Sequence, residues 1–297
     1  METVYGLTRD VHPITKEEGR YTPVFIAIKL IVYLFDIKYY YPKMMWRIMM
    51  DNKLIEELSL NHWQPLSTLL YDGWVLRFAD GYTKRANSIN PIHYSTYDLN
   101  NKIEECEKIY SVNKLPTIYK VTPFVRPINL DDTLEGKGYS LIDTTSVQTL
   151  KLDNIIEPEL TSVRIYENIT ADWLEDFCRL NNVKDKDKNV MERMLSHIRT
   201  KKGFVSLYYE EQVIACGLGV IEREYIGLYD IVTDLNFRNR GFGEQMILNL
   251  LKWAKENGAK YSYLAVVSNN APALKLYSKI GYSEIYKYWY RVKDNTL

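Results

Sequence analysis

At 297 residues, with 46% hydrophobic and 26% charged residues, the chain has the make-up of a soluble globular protein, long enough for one large domain or two of ordinary size. Thirty-eight basic residues balance thirty-eight acidic ones, which gives no electrostatic ground for a nucleic-acid or anionic-membrane partner. Cys106, Cys178 and Cys216 are isolated, without pairing or metal-ligand spacing and with no secretory signal before them, so a reducing cytoplasm and no metal centre are expected.

In chain order, Met1 to Met49 differs in composition from the remainder of the chain and reads as an N-terminal extension, 1–49, to which the sequence assigns no role. Met44, Met45, Met49 and Met50 crowd its end, and a natural translation start near Met50 is one hypothesis. Its most apolar stretch, Pro23 to Phe35, has about thirteen residues including Lys29, short of the roughly twenty that a spanning helix needs. A first domain is expected over 50–152. Asp72-Gly73 reads as a turn before the alternating strand Trp74 to Phe78, and Asp80-Gly81 marks the next turn, which together predict a hairpin. Lys84, Arg85 and Asn87 then read as a polar hairpin rim, with substrate contact as the other reading. Asn100 to Tyr110 has helical spacing, with Ile103, Cys106, Glu107 and Tyr110 on one side. Thr117 to Val125 and Thr145 to Leu152 read as strands, and the charged, Pro-containing stretch 153–161 as a linker.

The second domain is expected over 162–297. Lys184 to Lys188 reads as a solvated run. Tyr225 to Thr233 is β-branched and aromatic, hence a largely buried strand. Arg238-Asn239-Arg240-Gly241-Phe242-Gly243 comes next, and then Met246, Ile247, Leu250, Leu251 and Ala254 fall on one helical face before Gly258. A glycine-bearing turn at a helix N-terminus leaves several backbone N–H groups unpaired where the dipole favours an anion, so this loop is predicted to cradle phosphate. Tyr261 to Val267 is a second strand. Asn270 caps a short helix with Pro272 in its first turn and Ala273, Leu276, Tyr277 and Ile280 on one face, which Gly281 ends. Ser283 to Val292 is an aromatic run suited to one or two strands.

Arg-x-x-Gly-x-Gly after a strand, followed by Asn270-Ala271-Pro272-Ala273-Leu274-Lys275-Leu276-Tyr277 and the exit Lys279-Ile280-Gly281-Tyr282, resembles the GNAT N-acetyltransferases from about Ser206 to Val292. In the first half, Leu134 to Tyr139 is similar to that helix exit. Gly73-Trp74-Val75-Leu76-Arg77 and Gly81 to Ser88 look like the leading half of tandem GNAT proteins, but no Arg-x-x-Gly-x-Gly is present there. The resemblance implies an α/β (α+β) fold of two GNAT-like mixed-sheet domains, the N-terminal one degenerate, with acetyl-CoA bound once, in the C-terminal half.

It further implies direct acetyl transfer to a primary amine in a ternary complex. The diphosphate is expected on the amides from Arg238 to Gly243, with Arg238 and Arg240 adding charge; Phe242 either joins the loop or faces the core. Backbone groups near Ile231, Val232 and Thr233 are expected to pair the pantetheine arm, one N–H also holding the thioester oxygen. Tyr277 matches the family's proton donor to the thiolate. Asn270 caps its helix and, by the resemblance, contacts the cofactor arm. Asp230 and Glu222 are the carboxylates considered for the acceptor's proton; strand alternation groups 226, 228, 230 and 232 on one apolar face, where desolvation would raise the Asp230 pKa. The acceptor is an amine of a small molecule or a protein, and a homodimer is possible. Two other readings stand beside this one: an acyl-CoA-binding regulatory module without turnover, and a nucleotide site of another class, which the missing Gly-Lys-Ser/Thr and Gly-x-Gly-x-x-Gly disfavour.

Overall fold

In the computed structural model, which describes residues 52–294, strands and helices alternate and collect into one mixed eleven-stranded sheet. The extension 1–49, with its apolar stretch, lies outside the described residues. A helix over 52–62 (α1) leads into the hairpin of β1 (Ser67–Tyr71) and β2 (Trp74–Phe78). Asp72 (φ 43°) and Gly73 (φ 82°) both take the left-handed conformation that a two-residue type I′ turn demands. Lys102 holds that turn from below, its Nζ reaching Asp72 Oδ2 at 3.2 Å and Ser95 Oγ at 2.8 Å.

β3 (Ile89–Asn90), α2 (Leu99–Val112), β4 (Thr117–Val121), α3 (Leu130–Gly136) and β5 (Ser140–Lys151) follow. The strand expected over Thr117 to Val125 closes at Val121, where the Thr122 hydroxyl accepts from the Phe124 N–H. The expected strand from Thr145 instead starts at Ser140, because its early residues pair with the last strand of the chain.

Then come β6 (Val163–Tyr166), α4 (Ala171–Asn181), α5 (Asp185–Ser196), β7 (Lys201–Tyr209), β8 (Gln212–Glu222) and β9 (Tyr225–Thr233). The charge run Lys184 to Lys188 is the solvated opening of α5. α6 (Phe242–Glu256), β10 (Tyr261–Val267), α7 (Ala271–Ile280) and β11 (Ser283–Lys293) finish the chain. Helix ends follow local chemistry: the Asn270 side chain accepts from the Ala273 N–H, and Gly281 at φ 109° stops α7.

The strand order is β1-β2-β3-β4-β11-β5-β10-β9-β8-β7-β6. Its centre is an exchange. β5, from the first half, lies between β10 and β11, antiparallel to both, while β11, from the second half, lies between β4 and β5. Each half therefore depends on the other for a neighbour to its own last strand.

α6 and α7 cover one face of the C-terminal strands, where Met246, Ile247, Leu250, Leu251 and Ala254 meet Ile226, Leu228 and Leu264. α1, α4 and α5 cover the other, through Leu58, Trp173, Phe177 and Met191. α2 and α3 close a smaller core around Trp74, Ile103 and Tyr119. Full burial of such side chains contributes on the order of 1.5–3 kcal/mol each, so these layers fix the sheet that carries the site.

Candidate active site

β9 and β10 run parallel only as far as Leu228↔Leu264. Beyond that point β10 keeps its other neighbour, pairing β5 out to Val267↔Thr145, and β9 keeps β8 out to Thr233↔Ala215. The two strands thus splay apart, and the main-chain groups of residues 229–233 face a wedge instead of a strand. Ile231, Val232 and Thr233 lie on the part of β9 that pairs β8 but has no strand on its β10 side.

The loop after β9 closes the wide end of that wedge. A short 3-10 turn at Leu235–Phe237 leads to Asn239 (φ 59°) and Gly241 (φ 83°), and the first bond of α6 runs from the Gln245 N–H to the Gly241 carbonyl at 3.0 Å. The amides of residues 241–244 are therefore left without intrahelical partners. Nothing lies within 4 Å of a Cβ built at Gly241, so conformation and not crowding calls for glycine there. At Gly243 a Cβ would meet Thr233 Oγ1 at 3.0 Å, and glycine lets the helix close on the strand. Arg238 and Arg240 are exposed. The first donates through Nε to the Thr233 carbonyl at 3.1 Å; the second stacks over Phe237 and Phe242, both at 5.2 Å. Phe242 is buried among Tyr209 and Phe237, facing the core.

Tyr277 projects from the middle of α7 and is 8% exposed. Burial pushes its hydroxyl up to about 12, offset in part by the Arg85 charge, so it carries its proton at neutral pH.

Asp230 differs from expectation in one respect. Tyr229 pairs Leu218 and Val232 pairs Cys216, so Asp230 and Ile231 together oppose Gly217 in a β-bulge, with Asp230 at φ 52°. The bulge breaks the alternation: Ile226, Leu228 and Ile231 turn to the α6 face, and Tyr229 and Val232 to the other. The Asp230 Oδ2 atom is buried and has no hydrogen-bond partner among the described residues. Desolvation raises this carboxyl to about 7 against the opposing pull of Arg85.

Glu222 is not brought to this place. It ends β8 opposite Tyr225, about 17 Å along β9 from Asp230 at the usual rise per residue. There it accepts from Asn61 Nδ2 at 3.2 Å and lies 3.4 Å from His62 Nε2. His62, fully buried, continues inward: its Nδ1 is 2.8 Å from the Tyr263 hydroxyl, which is 2.8 Å from that of Tyr229. Burial holds His62 down at about 3, so it is neutral. This chain of side chains was not read from the sequence. Its one local sign is Gly227, where a Cβ would collide with Tyr229 and Tyr263 at 2.7 Å.

The first half supplies the wall opposite. A cavity of about 360 Å³ is lined by the loop from Gly81 to Arg85, by Thr145, by Ala265 and Val267 at the end of β10, and by Tyr288 and Tyr290 of β11. The loop is tied down by Asn87, which is buried and accordingly structural: its Oδ1 accepts from the N–H groups of Ala79 (2.7 Å) and Gly81 (3.0 Å). Lys84 pairs with Asp143 at 2.9 Å. Buried Arg77 donates to the Arg85 carbonyl at 2.9 Å and also to the carbonyl of Trp63. Arg85 itself turns its side chain into the site and stacks 5.3 Å above Trp63.

The three cysteines are unpaired, and burial pushes Cys106 and Cys216 up to about 12. Among the described residues no cluster of three or more His, Cys, Asp or Glu is placed to hold a metal, and no helix is long and apolar enough to cross a membrane.

Known proteins resemble this chain in sequence and in fold. The family described as "Probable histone acetyltransferase Rv0428c C-terminal" matches residues 53–291. The uncharacterized N-acetyltransferase YobR of Bacillus subtilis is 29% identical over 249 residues, covering 82% of this chain and 99% of that protein. Among solved structures, a GCN5-related N-acetyltransferase from Kribbella flavida superposes with a TM-score of 0.60 at 12% identity, over 78% of this chain and 91% of that one. A tandem GNAT protein from the clavulanic acid biosynthesis pathway gives a TM-score of 0.51 at 11% identity, over 65% and 69%. The chain belongs to the matched acetyltransferase family and is an N-acetyltransferase, an acyltransferase of the GNAT fold.

Proposed function

We propose that the protein transfers an acetyl group from acetyl-CoA directly to a primary amine within a ternary complex, on a tandem GNAT scaffold whose first half (50–152) has given up cofactor binding. The observation that carries this reading is the wedge between β9 and β10, with the unpartnered amides of the Gly241 turn after β9 and Tyr277 on α7, the helix that follows β10. A peptide-like pantetheine arm fits the unpaired edge of residues 229–233, and a diphosphate suits the turn. Bound there, acetyl-CoA supplies an activated acyl group and a thiolate leaving group.

The chain's own residues divide the remaining work. Asp230, with a pKa near neutrality, accepts a proton from the acceptor ammonium, leaving the amine nucleophilic. A backbone N–H at the bulge stabilises charge on the thioester oxygen, and the Tyr277 hydroxyl donates to the departing sulfur. Glu222 touches neither group. It stands at the outer end of the His62–Tyr263–Tyr229 chain, and its place in the reading is as the solvent-side terminus of that chain.

Calorimetry with acetyl-CoA, CoA and ATP, followed by thiol release against a panel of amines, tests the assignment. Acetyl-CoA binding with amine-dependent thiol release is expected. Binding without release for any amine would make the protein an acyl-CoA-binding regulatory module, and binding of ATP alone would reject both.

A further inference from the structure

Two groups of opposite sign near the 360 Å³ cavity lack a hydrogen-bonded partner for at least one side-chain atom: Arg85 on its wall, and Asp230 on β9, close enough to feel the Arg85 charge. The Arg85 guanidinium lines the 360 Å³ cavity, yet among the described residues it forms no hydrogen bond and no ion pair through its side chain; its contact is the face of Trp63. Its backbone is not left to drift, because Arg77 and the Asn87 staple hold the loop. Asp230 has Oδ2 buried and without a hydrogen-bond partner among the described residues; it feels the Arg85 charge, but no hydrogen bond or ion pair joins the two side chains. The Tyr290 hydroxyl, on the cavity wall, is likewise buried without a hydrogen-bond partner among the described residues.

Buried polar groups in folded proteins are hydrogen-bonded as a rule, so the unpartnered Asp230 Oδ2 calls for a group from outside the chain, and the half-buried Arg85 guanidinium is left free to take an anionic one. A guanidinium offers a planar fork of donors suited to a carboxylate, and the cavity is at the lower end of the roughly 300–1,000 Å³ typical of small-molecule sites. The Lys84–Asp143 pair at the rim is already neutralised within itself and adds no net charge of either sign.

Resting on the transferase reading, we infer that the acceptor is a small zwitterion, a free amino acid or similar amine bearing a carboxylate, held with its carboxylate on Arg85 and its amino group directed to Asp230. A lysine side chain within a protein carries no carboxylate next to its amine and leaves Arg85 unmatched. The first half of the molecule thereby acquires a definite task, which is to read the acid end of the acceptor while the second half activates the amine.

The test uses the whole chain saturated with CoA and a panel of free amino acids, each matched with its carboxamide. Affinity is measured by calorimetry and, separately, kcat/KM by thiol release. At least one acid should bind about ten- to a hundredfold more tightly than its amide, the range open to a charge-assisted hydrogen bond in a buried site. Arg85→Gln should abolish that preference while leaving acetyl-CoA affinity and the thermal midpoint near wild type, and Lys84→Ala should keep the preference. Acid and amide bound equally, or a preference that survives Arg85→Gln, would overturn the inference. Because binding is read without turnover, absence of thiol release would count against the transferase reading alone.

Discussion

Tyr277 and Asp230 differ in how their environments tune them. Burial raises both, but Tyr277, lifted to about 12, holds its proton across the physiological range, whereas Asp230, lifted to about 7, exchanges its proton within it. Tyr277→Phe is expected to lower kcat about a hundredfold with acetyl-CoA affinity unchanged within about twofold, checked by single-turnover kinetics alongside calorimetry. For Asp230 the expected signature is a kcat/KM that rises with pH through about 7, as the carboxylate forms. That limb should disappear in Asp230→Asn, and an unchanged pH profile would remove Asp230 from proton transfer. The identity of Asp230 as a buried acid was legible in the sequence; its direction was not. Alternation grouped it with residues 226, 228 and 232, and a bulge opposite Gly217 breaks that alternation at Asp230, sending Val232 to the face opposite Ile226 and Leu228.

Local elements were the most readable part of the chain, since their determinants lie within a few residues of one another. Asn270 before Pro272, Gly241 at the start of α6, and Gly281 after α7 each announce a helix end through their own chemistry. Gly241→Val forces a β-branched residue to φ 83° and is expected to weaken acetyl-CoA binding by tenfold or more, whereas Gly241→Asn, tolerant of that conformation, should retain most of the affinity. Titration calorimetry on the two variants distinguishes conformation from side-chain bulk. The strand exchange was not readable, because β5 and its partners β10 and β11 lie more than a hundred residues apart in the chain. Nor was the path from Glu222 through His62 to Tyr229, which draws on α1, β8, β9 and β10. Residues 162–297 produced alone would lack β5 and expose the facing edges of β10 and β11; aggregation or a molten product by gel filtration and near-UV circular dichroism is expected.

At the scale of the molecule, two buried groups set opposing dependences of stability on pH. Asp230 binds its proton more tightly folded than unfolded, so between about 3.8 and 7 its contribution falls as pH rises. His62, held at about 3 against an ordinary 6.5, binds its proton less tightly folded, so between those values its contribution grows as pH rises. The two slopes oppose each other over the shared window from about 3.8 to 6.5. Asp230→Asn should therefore steepen the rise of stability with pH in that window, and His62→Gln should flatten or reverse it. Urea denaturation at pH 4.5, 5.5 and 6.5 checks both signs.

The reciprocal lending of β5 and β11 also bears on what the 153–161 segment must do. Backbone ladders already fasten the two halves together, so the peptide connection between them is a convenience of synthesis more than a mechanical tie. A single protease nick in that stretch should leave both fragments clasped and the transfer site whole, co-eluting under native conditions and parting only in denaturant.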